Sequence, residues 1–153
     1  MNITILAGSV TGNAHRTADA VSAWLTEQGH QVSLSKEPWA SDLEPQADAY
    51  LVITSTTGQG GLPFSLFMFA NDCFEDGKDT SINNAPYGII GLGSSRYRDF
   101  CAASEEVDLI MQDLNGKRVG DICKIDVIAD DDPIPKSLAW TENWLMQLMS
   151  EAS

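Results

Sequence analysis

The fold this sequence predicts is a doubly wound α/β domain: a five-stranded parallel sheet in the order 2-1-3-4-5, with helices on both faces. Three observations predict it. Short apolar runs without polar alternation recur along the chain, as strands buried on both faces require. Helix-period segments alternate with those runs. Three of the runs end in loops crowded with Gly, Ser and Thr, which in an open parallel sheet all fall at one edge.

Each element can be justified in turn. Ile3 to Ala7 form the first buried strand. Ala18, Val21 and Leu25 then recur at i, i+3 and i+7, and Gly29 sits where a helix commonly stops. QVSLS (31–35) is a short alternating strand. PWASDLEPQA (38–47) reads as a loop, because two prolines oppose regular structure. Tyr50 to Thr54 form a second buried run. After Pro63, the residues Phe64, Phe67, Met68 and Phe74 give a helical stripe. GKDTSINNAP (77–86) is a loop and YGIIGLG (87–93) a strand. Val107, Ile110, Met111 and Leu114 mark the next helix, which Asn115-Gly116 ends. VGDICKIDVIAD (119–130) is the last strand, broken by DDDPIP, and Trp140, Trp144, Leu145 and Leu148 line the final helix. The order is β-α-β-β-α-β-α-β-α. Right-handed crossovers then place the winding reversal between the first and third strands.

The chain has 153 residues, 43% of them hydrophobic and 20% charged. That suits one soluble domain over 1–153 with one sizeable core. No apolar run approaches the ~18 residues of a membrane span. The N-terminus has no basic stretch of a signal peptide, so a cytoplasmic protein is expected. Cys73, Cys101 and Cys123 make neither a CxxC nor a metal spacing, and read as small core residues in a reducing compartment. Lys and Arg number 9 against 22 Asp and Glu, for a formal charge of -13. Such a surface repels nucleic acid and anionic membranes and favours a basic partner.

The loop GSVTGNA asks why a turn should hold Gly8, Ser9, Thr11, Gly12 and Asn13 together. One helix cap, from Thr11 or Asn13, would explain one residue. A phosphate seat explains all of them. Unpaired amides and the positive end of a helix dipole meet the anion, the hydroxyls add donors, and the glycines let the backbone come close. The Walker pattern fails here, since Asn13 and Ala14 stand where it needs Gly and Lys. GLGSSR matches only the first two glycines of a dinucleotide fingerprint. The seat therefore uses neutral donors, and His15 and Arg16 just beyond read as surface helix.

In GSVTGNA, TSTTGQGGLP and GLGSSRYRDFC the chain resembles the flavodoxins. Their three loops commonly read S/T-x-T-G-N-T, a Thr/Gly-rich second loop, and G-x-G-D-S-x-Y-x-x-F-C. The similarity runs from Ile3 to about Leu148, with no insertion in the fifth strand, so it resembles the short-chain class. TSTTGQG, KRVGDI, KIDV and the two tryptophans of the last helix are most like the small MioC/YqcA-type members. The resemblance implies bound FMN. Its phosphate would sit on Ser9, Val10, Thr11, Gly12, Asn13 and Ala14. Its ring would lie between Ser55, Thr56, Thr57, Gly58, Gln59 and Gly60 on one side and Tyr97 on the other. Leu92, Gly93, Ser94 and Ser95, with main chain as far as Arg98, would meet the pyrimidine edge, and Phe100 and Cys101 would close the third loop from below. The chain departs from the family pattern at Ala14, Thr57, Gly61, Phe64 and Ser94. Leu62, Pro63 or Phe64 could cover the ring face that Thr57 leaves bare, although Phe64 also reads as helix core.

The role implied is single-electron transfer between a flavodoxin reductase and an acceptor enzyme, both basic-surfaced, by a monomer. The flavin supplies the redox chemistry and the protein tunes it. Reduced FMN is anionic, so a chain at -13 should lower its potential. The Gly58–Gln59 carbonyl is expected to rotate and accept the proton at flavin N5, with Gly58 and Gly60 giving the freedom. No residue reads as a catalytic acid, base or nucleophile, and no metal ligand set is found. Asp130, Asp131, Asp132, Glu105, Glu106 and Asp108 read as a solvated acidic face. Other readings are an FMN-dependent quinone or nitro reductase and a flavin-free module of the same shape. A signalling receiver lacks its acid at residues 53–55.

Overall fold

In the computed structural model of the chain, residues 1–152 are described, apart from 59, 76, 98–100 and 129–131. The elements run β1 (Asn2–Gly8), α1 (Asn13–Glu27), β2 (Gln31–Ser35), a 3-10 turn (Ala40–Leu43), β3 (Ala49–Ser55), α2 (Phe64–Cys73), β4 (Pro86–Gly93), α3 (Ala102–Asp113), β5 (Lys117–Arg118), β6 (Cys123–Asp126) and α4 (Pro133–Ala152). The sheet path is β2-β1-β3-β4-β5, with β6 also on β4 and every pairing parallel. This is the 2-1-3-4-5 order predicted.

The apolar runs alternate between two cores. Ile3, Ile5, Leu51, Ile53 and Ile90 face α1 and α4, meeting Val21, Leu25, Trp144 and Leu148. Leu6, Tyr50, Val52 and Ile89 face α2 and α3, meeting Leu66, Phe69, Val107 and Met111. Each such aliphatic side chain stabilises by roughly 1.5–3 kcal/mol when buried. A one-residue slip would exchange the two sets, so the pairing Ile53↔Ile90 and Ile5↔Leu51 is firmly specified. Gly29 takes φ 93 after α1, and His30 N donates to Leu25 O at 3.2 Å, as the stop predicted there requires.

Four expectations need correction. The last strand is two short segments in one lane, with Gly120 at φ 80 between them. That left-handed residue turns the chain out of the ladder after Val119 N bonds Tyr87 O at 2.9 Å. The proline-flanked loop at 38–47 holds the 3-10 turn, because buried Leu43 anchors it and Asp42 Oδ2 accepts from Trp39 N at 2.8 Å. The helix after Pro63 buries a different stripe from the one expected. Leu66, Phe69 and Cys73, also at i, i+3 and i+7, are buried, whereas Phe64 is 76% and Phe67 51% exposed, and Phe74 is exposed too. The run FSLFMF is apolar all round, so periodicity alone could not choose. Packing chose, because Leu66 nests on the bare backbone of Gly8, where a Cβ would lie 2.6 Å from Leu66 Cγ. Finally, Asp108 is not on a solvated face. It is buried, accepts from Tyr87 Oη at 2.5 Å and pairs with Arg118 Nη1 at 2.8 Å.

Candidate functional site

The C-terminal ends of β1, β3 and β4 lie side by side, since Gly8 pairs with Thr54 and Ser55 with Leu92. The three small-residue loops therefore leave the sheet at adjacent points on one edge. A hollow of about 260 Å³ opens between them. From the first loop come Val10, Thr11 and Asn13; from the second, Ser55, Thr56 and Gly58. Leu92, Gly93, Ser94 and Tyr97 supply the third side. A larger hollow of about 450 Å³ lies between α4 and the turn at Gly120, but no helix N-terminus or loop cluster opens into it.

The first loop is built to leave amides open. Ser9 Oγ accepts from Gly12 N at 2.7 Å, closing the loop on itself. The N-cap of α1 is Gly12 at φ 96, with no side chain capping the helix. Neither Thr11 nor Asn13 takes that role, so the simple capped-helix reading fails. Asn13 O instead accepts from Thr17 Oγ1 at 2.8 Å, inside the first turn. The uncapped first-turn amides and the helix dipole together favour an anion. Ala14 is fully buried behind them. Arg16, the cation beside this loop, is exposed and spent on Asn13 Oδ1 and Asp132 Oδ1 at 3.3 and 3.5 Å. His15 is half-buried rather than a surface residue, and its Nε2 is buried without a hydrogen bond.

The second loop is a closed turn. Thr57 N donates to Gly61 O at 3.0 Å, Gly60 N to Thr57 O at 2.9 Å, and Gly61 N to Thr57 Oγ1 at 2.9 Å. The left-handed backbone falls at Gly60, φ 86, and not at Gly58. Gly58 lies against the third loop, since a Cβ there would be in ordinary contact with Tyr97 Cε1 at 3.6 Å. The second and third loops thus meet at that point. Leu62 is half-buried and Pro63 buried, while Phe64 starts α2 in the open.

Strand β6 holds the third loop. Asp126 Oδ1 accepts from Ser95 N at 3.1 Å and Ile128 N at 3.0 Å, and Val127 N donates to Gly93 O at 2.9 Å. Cys101 does not face the hollow. Its Sγ lies 3.5 Å from Gly91 O and 3.9 Å from Ile125 O, and burial pushes the thiol up to about 11. A thiol held protonated this way packs and does not attack. Gln59, Arg98, Phe100, Asp130 and Asp131 lie outside the described residues.

Arg96, within the stretch expected at the ring's polar edge, also lines the hollow, whereas Val127 and Ile128, and Asp126 behind them, carry no sequence signal. Val127 and Ile128 read as strand interior, so nothing local marked them. Only the pairing of β6 with β4, Gly93 opposite Asp126, brings them to the edge.

One atom tests whether the residues suit a flavin nucleotide. Thr56 Oγ1 is buried at this hollow and has no hydrogen-bond partner. A buried hydroxyl left unpaired costs about 1–3 kcal/mol, and a polar ligand at the hollow would relieve it. With open helix amides for a phosphate, an aromatic face at Tyr97 beside the second loop and the unpaired Thr56 hydroxyl, the residues present fit FMN.

Comparison with known proteins agrees. The Flavodoxin family model matches residues 5–140. The chain is 38% identical over 145 residues to Flavodoxin YqcA of Escherichia coli strain K12, covering 93% of this chain and 95% of that one. It is 31% identical over 144 residues to Protein MioC of the same strain, covering 94% and 96%. Among solved structures, the C101A mutant of flavodoxin from Pseudomonas aeruginosa superposes with a TM-score of 0.89 at 28% identity, covering 97% of this chain and 99% of that one. By its loops, its sheet order and these relatives, the chain belongs to the flavodoxin family of FMN-binding electron-transfer proteins.

Proposed function

We propose that this protein carries single electrons from a reductase to an acceptor enzyme as a cytoplasmic monomer, and is not itself a catalyst. The observation that carries this reading is the convergence of three small-residue loops on one hollow, with uncapped α1 amides at one end and the unpaired Thr56 hydroxyl inside. FMN, when bound, supplies the redox chemistry. In this reading Ser9, Thr11, Gly12, Asn13 and Ala14 hold the phosphate through amides and hydroxyls. Arg16 reaches the loop only through Asn13 Oδ1 and also pairs with Asp132, so in this reading affinity rests chiefly on hydrogen bonds and the helix dipole. Thr56 and Thr57 would face one side of the ring, and Tyr97, which here lies against Gly58, would swing out to cover the other. Aromatic stacking adds about 0.5–1.5 kcal/mol to area burial. In this reading the Gly58 carbonyl would accept a hydrogen bond from the protonated ring edge, and the glycines at 58 and 60 leave that peptide free to turn. The formal charge of -13 disfavours adding negative charge, which suits a low-potential donor and steers basic partners.

A titration of FMN with the folded protein tests the reading. Quenching of flavin fluorescence is expected at stoichiometric protein. NADPH oxidation should need an added reductase. Fluorescence that stays at the free-flavin level in excess protein would remove the cofactor site, and rapid NADPH oxidation by the holoprotein alone would make it an enzyme.

A further inference from the structure

Among the described residues, the helix α2 leaves an apolar face uncovered. Phe64 is 76% exposed, and Trp39, on the segment before the 3-10 turn, is 48% exposed. Together with Pro38, Met68 and Glu37 they enclose a hollow of about 200 Å³. Surface aromatics occur singly by chance, but two walls of one hollow with a carboxylate at its rim are a built arrangement.

The backbone carrying Trp39 is tied down on both sides by carboxylates. Trp39 N donates to Asp42 Oδ2 at 2.8 Å, and Asp42 Oδ2 also accepts from Ser35 Oγ at 3.2 Å. The next amide, Ala40 N, donates to Asp72 Oδ2 at 2.8 Å. Two carboxylates thus tie down the backbone on both sides of an indole that stays half in water. Ordering of this kind lowers the entropy lost on binding. The local cations are already engaged. Lys36 pairs with Asp19 at 2.9 Å, and Lys78 pairs with Asp72 and Glu75. Glu37 is exposed and makes no ion pair among the described residues.

We infer that this hollow is a docking pocket for an arginine side chain of the redox partner. Guanidinium stacks on aromatic faces and forms two parallel hydrogen bonds with a carboxylate, whereas its methylene stem covers apolar surface. Trp39 and Phe64 offer the faces, Met68 and Pro38 the apolar floor, and Glu37 the carboxylate. An anionic segment is excluded by the same charge. A second copy of the chain, also at -13, meets net repulsion. The inference extends the proposed carrier role, since it names what the partner must present, yet its test requires neither FMN nor a reductase.

The test is a titration of the folded, isotope-labelled protein with acetyl-Gly-Arg-Gly-amide at low salt, read by amide and indole shifts. Acetyl-Gly-Gln-Gly-amide is the control. The Trp39 indole and the Phe64 and Met68 amides are expected to move with the arginine peptide only. Glu37→Gln and Phe64→Ser should each weaken that binding by about threefold or more. The same spectra report whether each variant is folded, and two independent variants guard against loss of one. Equal shifts with the glutamine peptide, no shift at Trp39, unchanged affinity in both variants, or shifts that follow protein concentration without peptide would each overturn the pocket. FMN fluorescence on the same samples separates that failure from failure of the carrier reading.

Discussion

Asp126 Oδ1 accepts the backbone N–H of Ser95 at 3.1 Å, so a residue of β6 fixes the loop that follows β4. The same oxygen takes Ile128 N at 3.0 Å. One carboxylate therefore sets both lips of the hollow on that side. Charge-assisted bonds of this type contribute about 1.5–3 kcal/mol each where they are shielded; exposure here puts the value at or below the low end. Asp126→Ala should weaken FMN about tenfold, close to 1.4 kcal/mol. Fluorescence titration measures the change, and an unaltered affinity would mean the loop is ordered without Asp126.

Thr56→Val separates stability from binding. The hydroxyl is buried and unpaired, so replacing it with a methyl removes a desolvation cost of about 1–3 kcal/mol at nearly constant shape. The ligand-free protein should melt at the same temperature or higher. FMN should bind several-fold more weakly, because its partner at that atom is gone. Thermal melts with and without FMN check both halves. A fall in both quantities would assign Thr56 a structural bond instead.

Gly88 lies beneath the two stacked indoles of α4. A Cβ at Gly88 would stand 2.5 Å from Trp144 Nε1 and 2.7 Å from Trp140 Cη2, and the rings are 5.9 Å apart with planes 15° from parallel. Both rings are large and rigid, and Trp144 is buried, so neither can yield cheaply. Gly88→Ala should cost about 1–3 kcal/mol by overpacking. At roughly 2–4 °C per kcal/mol for a chain of this size, the melting temperature should fall measurably, and the near-ultraviolet dichroism of the tryptophan pair should change.

The frame was legible wherever local pattern and tertiary demand agree. Ile3, Ile5, Ile53 and Ile90 lie in runs too apolar for anything but a doubly covered sheet, and Gly29 marks a helix end by its left-handed backbone. The loops at Ser9, Thr56 and Ser94 stand out because their composition exceeds what a turn needs, and the sheet brings all three to one hollow. What stayed hidden depends on contacts distant in sequence. Leu66 and Phe64 are equally apolar, and only the bare backbone of Gly8 decides which is buried. Asp108 stands beside Glu105 and Glu106 in sequence, and only Tyr87 and Arg118 draw it inward. Val127 and Ile128 become part of the site through register alone.

His30 gives the stability of the fold a pH dependence of known sign. Burial, with the nearby Met1 amine, lowers its pKa below the ordinary value of about 6.5. The amine donates to Nδ1 at 3.0 Å, a bond the ring accepts only while that nitrogen is unprotonated. A group harder to protonate when folded binds more protons when unfolded. Stability is therefore full above pH about 6.5 and declines as pH falls through that value toward the lower folded pKa, where the loss levels off. Carboxylates such as Glu105, held down by Lys124, contribute their own loss only at lower pH, from the usual carboxylate value downward. His30→Gln should therefore flatten the urea midpoint between pH 7.5 and 5.5 without altering its acid limb. An equally steep slope in the variant would place the titrating group elsewhere.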